Sequence, residues 1–176
     1  GGRLPPLGRL REPVAALSRA DAVVITKVPP EWRPVVAEIE VEVDRVAPAL
    51  QVFVSRVVPS RLRRPDGEWV EPEELRSRRV FAFAGVGRPE GFADSLREAG
   101  AEIVGEHWFP DHHAYTESDA ADVVAAAEAL DAVPVTTAKD AVKLIDRAAV
   151  WVLEVEMAPV GGSWDGLWRL LPKVLR

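Results

Sequence analysis

Residues 80–115 constrain the fold of this chain more than any other stretch. Residues 80–84 form an apolar run that is too short for a helix and rich in strand-forming residues, which predicts a buried strand. Two glycines then break the pattern, and Pro89 predicts the first turn of a helix that ends at Gly100. A second short strand at 102–106 leads into a polar loop, FPDHHAY. This order predicts a βαβ unit with a site at the carboxyl ends of its strands.

Strands and helices also alternate outside this stretch. Strands are predicted at 22–26, 51–58, 133–136 and 150–157, and helices at 13–20, 31–46, 120–130 and 139–145. Ser118 is the predicted cap of the third of these helices. The alternation predicts an α/β fold whose main part is a Rossmann-like three-layer unit.

The same pattern predicts the domain organisation. The α/β domain is expected at 59–149, entered and left by strands 51–58 and 150–158, which are predicted to pair antiparallel as a two-stranded connector. Residues 1–50 are interpreted as the end of another sheet whose earlier strands are absent, and 159–176 as an amphipathic tail helix.

Composition excludes several classes of protein. The chain has 176 residues, a net charge of -6 and no cysteine. An acidic chain of this kind is not expected to bind nucleic acid non-specifically, since that requires neutralising the phosphate backbone. The absence of cysteine excludes a disulfide scaffold and a thiolate metal site. No stretch approaches 18 consecutive apolar residues, so no transmembrane helix is predicted.

Gly85 and Gly87 form the turn after the first buried strand. They match the dinucleotide fingerprint only in part, because Glu90 occupies the place of its third glycine. One interpretation is a tight turn that requires positive φ. The other is that this turn, with Arg88 at the start of the helix, binds a phosphate or a polar head group.

Asp111, His112 and His113 form the densest cluster of titratable residues, and His107 lies nearby. A metal site is one possibility, but the spacing differs from that of common helical zinc motifs, and no metal ligand is predicted. A structural role is a second, with the histidines packed at a domain edge. A third is catalytic, because an imidazole paired with a carboxylate can take a proton from an attacking hydroxyl. His107, at the end of a strand, is expected to pack in the core.

Thr137 and Lys139 stand where a strand enters a helix. One interpretation is that Thr137 or Asp140 caps that helix. The other is that Thr137 and Lys139 contact the substrate or its phosphate directly. Two other stretches carry open alternatives. The arginine-rich passage at 59–79 is either solvated or faces anionic lipid head groups. The tail at 163–176, rich in tryptophan and basic residues, either docks on the protein or lies in a membrane interface.

Three motifs in order carry a resemblance to a known family: AFAGVGRPEGF at 82–92, FPDHHAY at 109–115 and VTTAKDAVKL at 135–144. Together with the opening GGRLPPLGRLREP, they resemble tetraacyldisaccharide 4'-kinase over residues 1–157. The family phosphorylates a disaccharide lipid with ATP in lipid A biosynthesis. Ala114 stands where the family often has proline, and Ala138 where it usually has glutamate.

The resemblance implies specific roles. It makes Asp111 and His112 the catalytic pair of this loop, with His112 supporting a catalytic aspartate of the other domain. It makes residues 1–50 the remnant of a P-loop kinase domain that binds ATP and Mg²⁺. The implied partners are ATP and the lipid disaccharide, with peripheral membrane contact at the cytoplasmic face of the bacterial inner membrane.

The phosphate-binding motif G-x-x-x-x-G-K-[ST] is absent from the sequence. Since phosphoryl transfer depends on positioning the triphosphate, the chain is expected to be an inactive C-terminal fragment of such a kinase. The alternative is an autonomous α/β module that binds a phosphorylated small molecule through 85–90 and Lys139.

Overall fold

The computed structural model describes residues 10–29, 31–144 and 149–170. Its strands are β1 Ala22–Ile25, β2 Gln51–Arg63, β3 Trp69–Val70, β4 Arg79–Ala84, β5 Glu102–Trp108, β6 Val133–Thr137 and β7 Trp151–Pro159. Its α-helices are α1 Trp32–Val46, α2 Pro89–Glu98, α3 Glu117–Ala129, α4 Ala138–Ala141 and α5 Asp165–Leu170. Short 3₁₀ helices span Val14–Arg19 and Pro72–Leu75.

The described chain divides into two compact units. One contains residues 58–156 and the other the described residues of 1–57 and 157–176. Strands β2 and β7, which are neighbours in the sheet, each contain one of these boundaries. The predicted assignment of domains and connector strands stays a prediction.

Strand β4 is the centre of the 58–156 unit. It pairs in parallel with β5 on one side and β6 on the other, and β6 pairs in parallel with β7. Five of its six residues are buried, as expected for a parallel strand covered on both faces. Its carboxyl end at Ala84 therefore lies beside the ends of β5 and β6, where loops from three strands meet.

Alternate side chains of β4 pack against different helices. Val80, Ala82 and Ala84 share an apolar cluster with Phe92 and Leu96 of α2. Phe81 and Phe83 instead share a cluster with Ala120, Val123 and Ala127 of α3. Because successive side chains of a strand point to opposite faces, the two helices cover opposite sides of the sheet. The predicted three-layer α/β fold is thus confirmed.

The other unit buries fewer apolar side chains in its described part. Strand β1 pairs in parallel with the start of β2, from Ala22 opposite Gln51 to Ile25 opposite Val54. Helix α1 buries Val36 and Val43 but leaves Val35 and Val41 exposed. Its interpretation as a remnant of a P-loop kinase domain stays a prediction.

Strand β2 corrects one prediction. A loop was expected from Pro59, but the strand continues to Arg63 and forms a hairpin with β3, with Leu62 opposite Val70. Ion pairs fix this segment: Arg64 bonds Glu68 and Glu74, and Arg61 bonds Glu154 at 2.8 Å. Residues 59–63 are therefore strand rather than loop, because pairing with β3 and with the neighbouring β7 holds them extended.

Smaller corrections concern helix ends. Helix α3 is capped by Thr116 rather than Ser118, since Thr116 and Asp119 form a reciprocal capping box. Helix α4 begins at Ala138 and ends at Ala141, shorter than predicted, and Ile145 lies outside the described residues. The tail helix is described as α5 only, and residues 171–176 lie outside the described residues.

Candidate active site

Gly85 is the first residue after β4, and the structure gives a different reason for glycine there than the sequence suggested. The backbone of Gly85 and Gly87 does not take positive φ, so the predicted strained turn is wrong. A Cβ on Gly85 would instead lie 3.1 Å from the carbonyl oxygen of Pro110 and 3.3 Å from Cβ of His113. Glycine is needed because the polar loop packs directly against the strand end.

The turn continues through Gly87 and Arg88 into α2. A Cβ on Gly87 would lie 3.5 Å from Oδ2 of Asp111, which is ordinary contact, so this residue borders the polar loop without crowding it. Arg88 occupies the N-cap position and is exposed, and Pro89 begins the helix. The positive end of the α2 dipole thus lies beside Asp111.

Aromatic stacking fixes the polar loop that follows β5. Phe109 donates its N–H to the carbonyl oxygen of Ala84, and its ring stacks on His113 with centroids 4.6 Å apart. The Tyr115 ring packs edge-on against both. His107 lies 4.3 Å from the Phe109 ring but is exposed, so its predicted place in the core is wrong. The strand continues to Trp108, beyond its predicted end, and both Glu106 and His107 are exposed in it.

Asp111 is held by a lysine from a different strand end. Nζ of Lys139 lies 2.8 Å from Oδ1 of Asp111 and 3.5 Å from the carbonyl oxygen of Gly85. The hydrogen bond from Lys139, opposed by partial desolvation and aided by the N–H of His112, lowers the pKa of Asp111 below its ordinary value. Asp111 is therefore ionised at neutral pH.

His112 is the most accessible imidazole of the loop. Its side chain is 78% exposed, and Nε2 lies 3.7 Å from Oδ2 of Asp111, beyond hydrogen-bond distance. Its backbone N–H donates to Oδ1 of Asp111, and its φ is 62°. The left-handed backbone turns the ring away from the packed face of the loop, so it is free to contact a substrate.

His113 lies on the packed face. Its side chain is 26% exposed, and Nε2 lies 3.0 Å from Oδ2 of Asp119. The N–H of Thr116, then His113 and the Thr116 hydroxyl, lower the pKa of Asp119 to about 2. His113 thus links the loop to the capping box of α3 and has the structural role that was one of the open alternatives.

Helix α4 completes the site from the β6 side. Thr137 caps it by accepting the N–H of Asp140, as one of the alternatives anticipated. Asp140 is completely buried and accepts hydrogen bonds from the Gly85 N–H and the Thr137 hydroxyl, both at 2.9 Å. Lys143, which was not singled out from the sequence, bonds Asp140 and the carbonyl oxygen of His113. Its spacing of four residues from Lys139 was the available signal.

Most of the predicted site residues thus lie together at the carboxyl ends of β4, β5 and β6. The group comprises Gly85, Gly87, Asp111, His112, Thr137 and Lys139, with Arg88 next along the chain. Among residues 10–29, 31–144 and 149–170, no group of three or more histidine and carboxylate side chains could hold a metal ion. The site therefore combines an exposed imidazole, an ionised carboxylate and an ammonium group, which suits proton transfer and anion binding.

The sequence of this chain matches one protein family from end to end. The sequence profile of Tetraacyldisaccharide-1-P 4'-kinase, LpxK, matches residues 1–176. The chain is 39% identical over 174 residues to the Tetraacyldisaccharide 4'-kinase of Paramagnetospirillum magneticum, covering 97% of this chain and 47% of that protein. It is 40% identical over 178 residues to the protein of the same name from Rhodospirillum centenum, with 99% and 47% coverage.

A solved structure agrees with the sequence comparisons. The crystal structure of LpxK from Aquifex aeolicus in complex with ATP superimposes with a TM-score of 0.61 and 26% identity, covering 96% of this chain and 47% of that one. The chain spans about half the length of the relatives it matches. With the family profile matched from end to end, the chain belongs to the tetraacyldisaccharide-1-P 4'-kinase family.

Proposed function

We propose that this chain is the C-terminal part of an ATP-dependent kinase that phosphorylates the 4'-hydroxyl of a tetraacyldisaccharide 1-phosphate in lipid A biosynthesis. The family membership supports this assignment, and so do the names of the relatives from Paramagnetospirillum magneticum and Rhodospirillum centenum. The ATP complex of the Aquifex aeolicus protein supports ATP as the phosphate donor.

One observation carries the proposal to the residue level. His112 is exposed at the meeting point of three strand ends, beside an ionised Asp111. An imidazole there can take the proton of the attacking 4'-hydroxyl, provided that a carboxylate from the remaining half of the protein orients it. Asp111 contributes by fixing the backbone at His112 through the 3.0 Å hydrogen bond to its N–H.

The remaining residues of the site are proposed to bind the phosphorylated substrate. Gly87 and Arg88 precede the positive end of α2, where an anion is favoured. The ammonium group of Lys139 carries three N–H donors, so it can bond a phosphate oxygen while it stays bonded to Asp111. Gly85 and Thr137 are proposed to form the base of this site, where both donate hydrogen bonds to the buried carboxylate of Asp140.

Mg²⁺ is proposed as the companion of ATP, as phosphoryl transfer generally requires. The ion is proposed to bind with ATP, whose phosphate-binding motif is absent from this sequence, in the remaining half of the protein. This chain is proposed to supply the acceptor side of the reaction.

Contact with a membrane is proposed on the basis of the lipid substrate. In the part of the chain that the structure describes, no helix is long and apolar enough to cross a bilayer. Trp164 and Trp168 of the segment around α5 contact each other, and Trp168 is 58% exposed. Tryptophan at this exposure suits the interface of a bilayer, here the cytoplasmic face of the inner membrane.

The proposal is tested by comparing the full-length protein with this 176-residue chain. With ATP, Mg²⁺ and the lipid disaccharide 1-phosphate, we expect 4'-phosphorylated product from the full-length protein and none from the chain alone. Absence of product from folded full-length protein would contradict the assignment. Turnover by the chain alone would contradict its description as half of the enzyme.

A further inference from the structure

Asp140 and Lys143 form a buried ion pair next to the candidate site. The carboxylate of Asp140 is completely buried, and Nζ of Lys143 lies 3.1 Å from its Oδ1. The other oxygen of Asp140 accepts the N–H of Gly85 at 2.9 Å. A buried carboxylate is costly without such partners, so this pair is tied firmly to the end of β4.

The same ammonium group also bonds the polar loop. Nζ of Lys143 lies 3.1 Å from the carbonyl oxygen of His113, the residue that follows His112. On the other side of His112, Asp111 is bonded to Lys139 at 2.8 Å. Two lysines one helical turn apart therefore hold the residues on either side of His112.

His112 itself has few anchors. Its side chain is 78% exposed, its ring nitrogen lies 3.7 Å from Asp111, and its backbone takes a left-handed φ of 62°. Such a backbone is unfavourable for a residue other than glycine unless its surroundings impose it. The position of the imidazole therefore depends on what holds its neighbours.

We propose that Lys143 is a positioning residue that fixes His112 by joining buried Asp140 to the carbonyl oxygen of His113. This inference rests on the proposed function of His112 and adds a residue to that site. Lys143 acts through the loop backbone and does not itself contact the substrate. Misplacement of a reacting group by about 1 Å can cost about 10²-fold in rate, so a loosened loop is expected to be visible in kcat.

Two variants of the full-length protein separate positioning from simple stability. Lys143→Met removes both bonds of the ammonium and leaves the Asp140 charge buried, so it is expected to lower the melting temperature as well as kcat. Asp140→Asn/Lys143→Met removes the charge together with its partner, and the amide oxygen can still accept the Gly85 N–H. This second variant is expected to recover stability while kcat stays at least about 10-fold low and KM for ATP stays unchanged.

A variant of the catalytic histidine gives a further test. If Lys143 acts through His112, adding Lys143→Met to His112→Ala should lower kcat no further, because residues that act as one unit are not additive. Arg97→Met is the control, since the side chain of Arg97 bonds only Asp94 among the described residues and lies in the last turn of α2. It should leave kcat and the loop unchanged.

A measurement on the 176-residue chain is independent of kinase activity. Backbone ¹⁵N order parameters at 112–114 are expected to fall from about 0.85 to below about 0.6 in both Lys143 variants and to stay high in Arg97→Met. If the full-length protein has no kinase activity, the proposed function fails, and these order parameters alone decide the positioning role. Recovery of both kcat and loop order in Asp140→Asn/Lys143→Met would overturn it, as would additive losses with His112→Ala.

Discussion

Two adjacent histidines in the polar loop have opposite surroundings. The side chain of His113 is 26% exposed, stacks on Phe109 and bonds Asp119, whereas that of His112 is 78% exposed. The left-handed backbone at His112 separates the two rings. One imidazole is therefore part of the loop's packing, and the other is available for chemistry.

The first prediction compares these residues in the full-length protein. His112→Ala is expected to lower kcat by about 10² or more, the usual range for a lost general base, with little change in KM for ATP. His113→Ala is expected to lower the melting temperature, because it removes a stacked ring and the bond to Asp119. Steady-state kinetics and thermal unfolding check both. A larger kcat loss from His113→Ala in a folded protein would reverse the assignment.

A second prediction concerns acid stability and Asp119. The folded pKa of this carboxyl is lowered to about 2 from its ordinary 3.8, so its contribution to stability is complete above pH 4. That contribution is lost as the pH falls from about 4 to about 2, where the folded state must take up the proton. Asp119→Asn should therefore flatten this part of the curve of unfolding free energy against pH.

The control is on the same helix. Asp122→Asn removes a carboxylate that accepts a single long hydrogen bond, 3.5 Å from Ser118, and it leaves the Thr116–Asp119 box intact. This variant should keep the acid dependence of the parent chain between pH 4 and pH 2. Equal flattening by both substitutions in chemical denaturation would show that the box at Asp119 is not the cause.

At the scale of single residues, the sequence was enough to single out the cluster at 111–113, because titratable residues gathered in one loop are candidates for a site. Its role stays a prediction. Gly85 could not be interpreted correctly, since glycine serves both positive φ and close approach, and only the position of Pro110 distinguishes them. Lys143 was missed because the bond that ties it to the polar loop, to the carbonyl oxygen of His113, joins residues 30 positions apart.

At the scale of elements, β4 and its two neighbours were predictable and the β2–β3 hairpin was not. An apolar run such as 80–84 is informative because both faces of the strand are buried. Pro59 normally indicates an end of a strand, yet β2 continues four residues past it. What extends it is pairing that the local sequence does not reveal: β2 lies beside β7, and its last residues pair with β3.

Gly105 in β5 gives a third prediction. It pairs with Phe81, and a Cβ there would lie 2.6 Å from Leu130 and 2.7 Å from the Phe81 ring. Gly105→Ala should therefore lower the free energy of unfolding by about 1–3 kcal/mol, the usual cost of overpacking a core. Urea denaturation measures the change, and an unaltered midpoint would mean that the ring and Leu130 move aside freely.

Gly91 in α2 is the matched control for that substitution. A Cβ there would meet nothing within 4 Å, and the residue is exposed in a helix. Gly91→Ala should raise the free energy of unfolding by about 0.5–1 kcal/mol, because alanine is the better helix former. The same chemical change thus has opposite signs at the two positions.

At the scale of the whole chain, the buried apolar residues are distributed unevenly. Both apolar clusters consist of residues between 62 and 153, within the 58–156 unit. In the described part of the other unit, the buried apolar side chains are Val28, Val36 and Val43, while Val35 and Val41 are exposed. Periodicity could locate the strands and helices of the 58–156 unit because their apolar faces are buried. Periodicity could not establish the role of 1–50, where few of the apolar side chains that form the pattern are buried in the described part of this chain.

The last prediction follows from this distribution and concerns limited proteolysis of the 176-residue chain. Cleavage depends on how often a segment opens, and segments with few buried contacts open most readily. Trypsin should therefore cut first at Lys27 or Arg45 and leave a resistant fragment that contains 58–156. Arg61 and Arg63 should be protected, because both lie in β2 and Arg61 is ion-paired with Glu154.

Mass spectrometry of the time course identifies the fragments. The matched test uses a recombinant segment of residues 51–160, which retains both β2 and β7. This segment is expected to unfold in one cooperative transition, since it contains both clusters of the 58–156 unit. Residues 1–50 alone should show no such transition, because the three valines that are buried in their described part cannot offset the entropy of ordering that length of chain. Protection of Lys27 and Arg45 equal to that of Arg61 would show that the first fifty residues have a stable core of their own, and early cleavage inside 58–156 would contradict the predicted resistance of that unit.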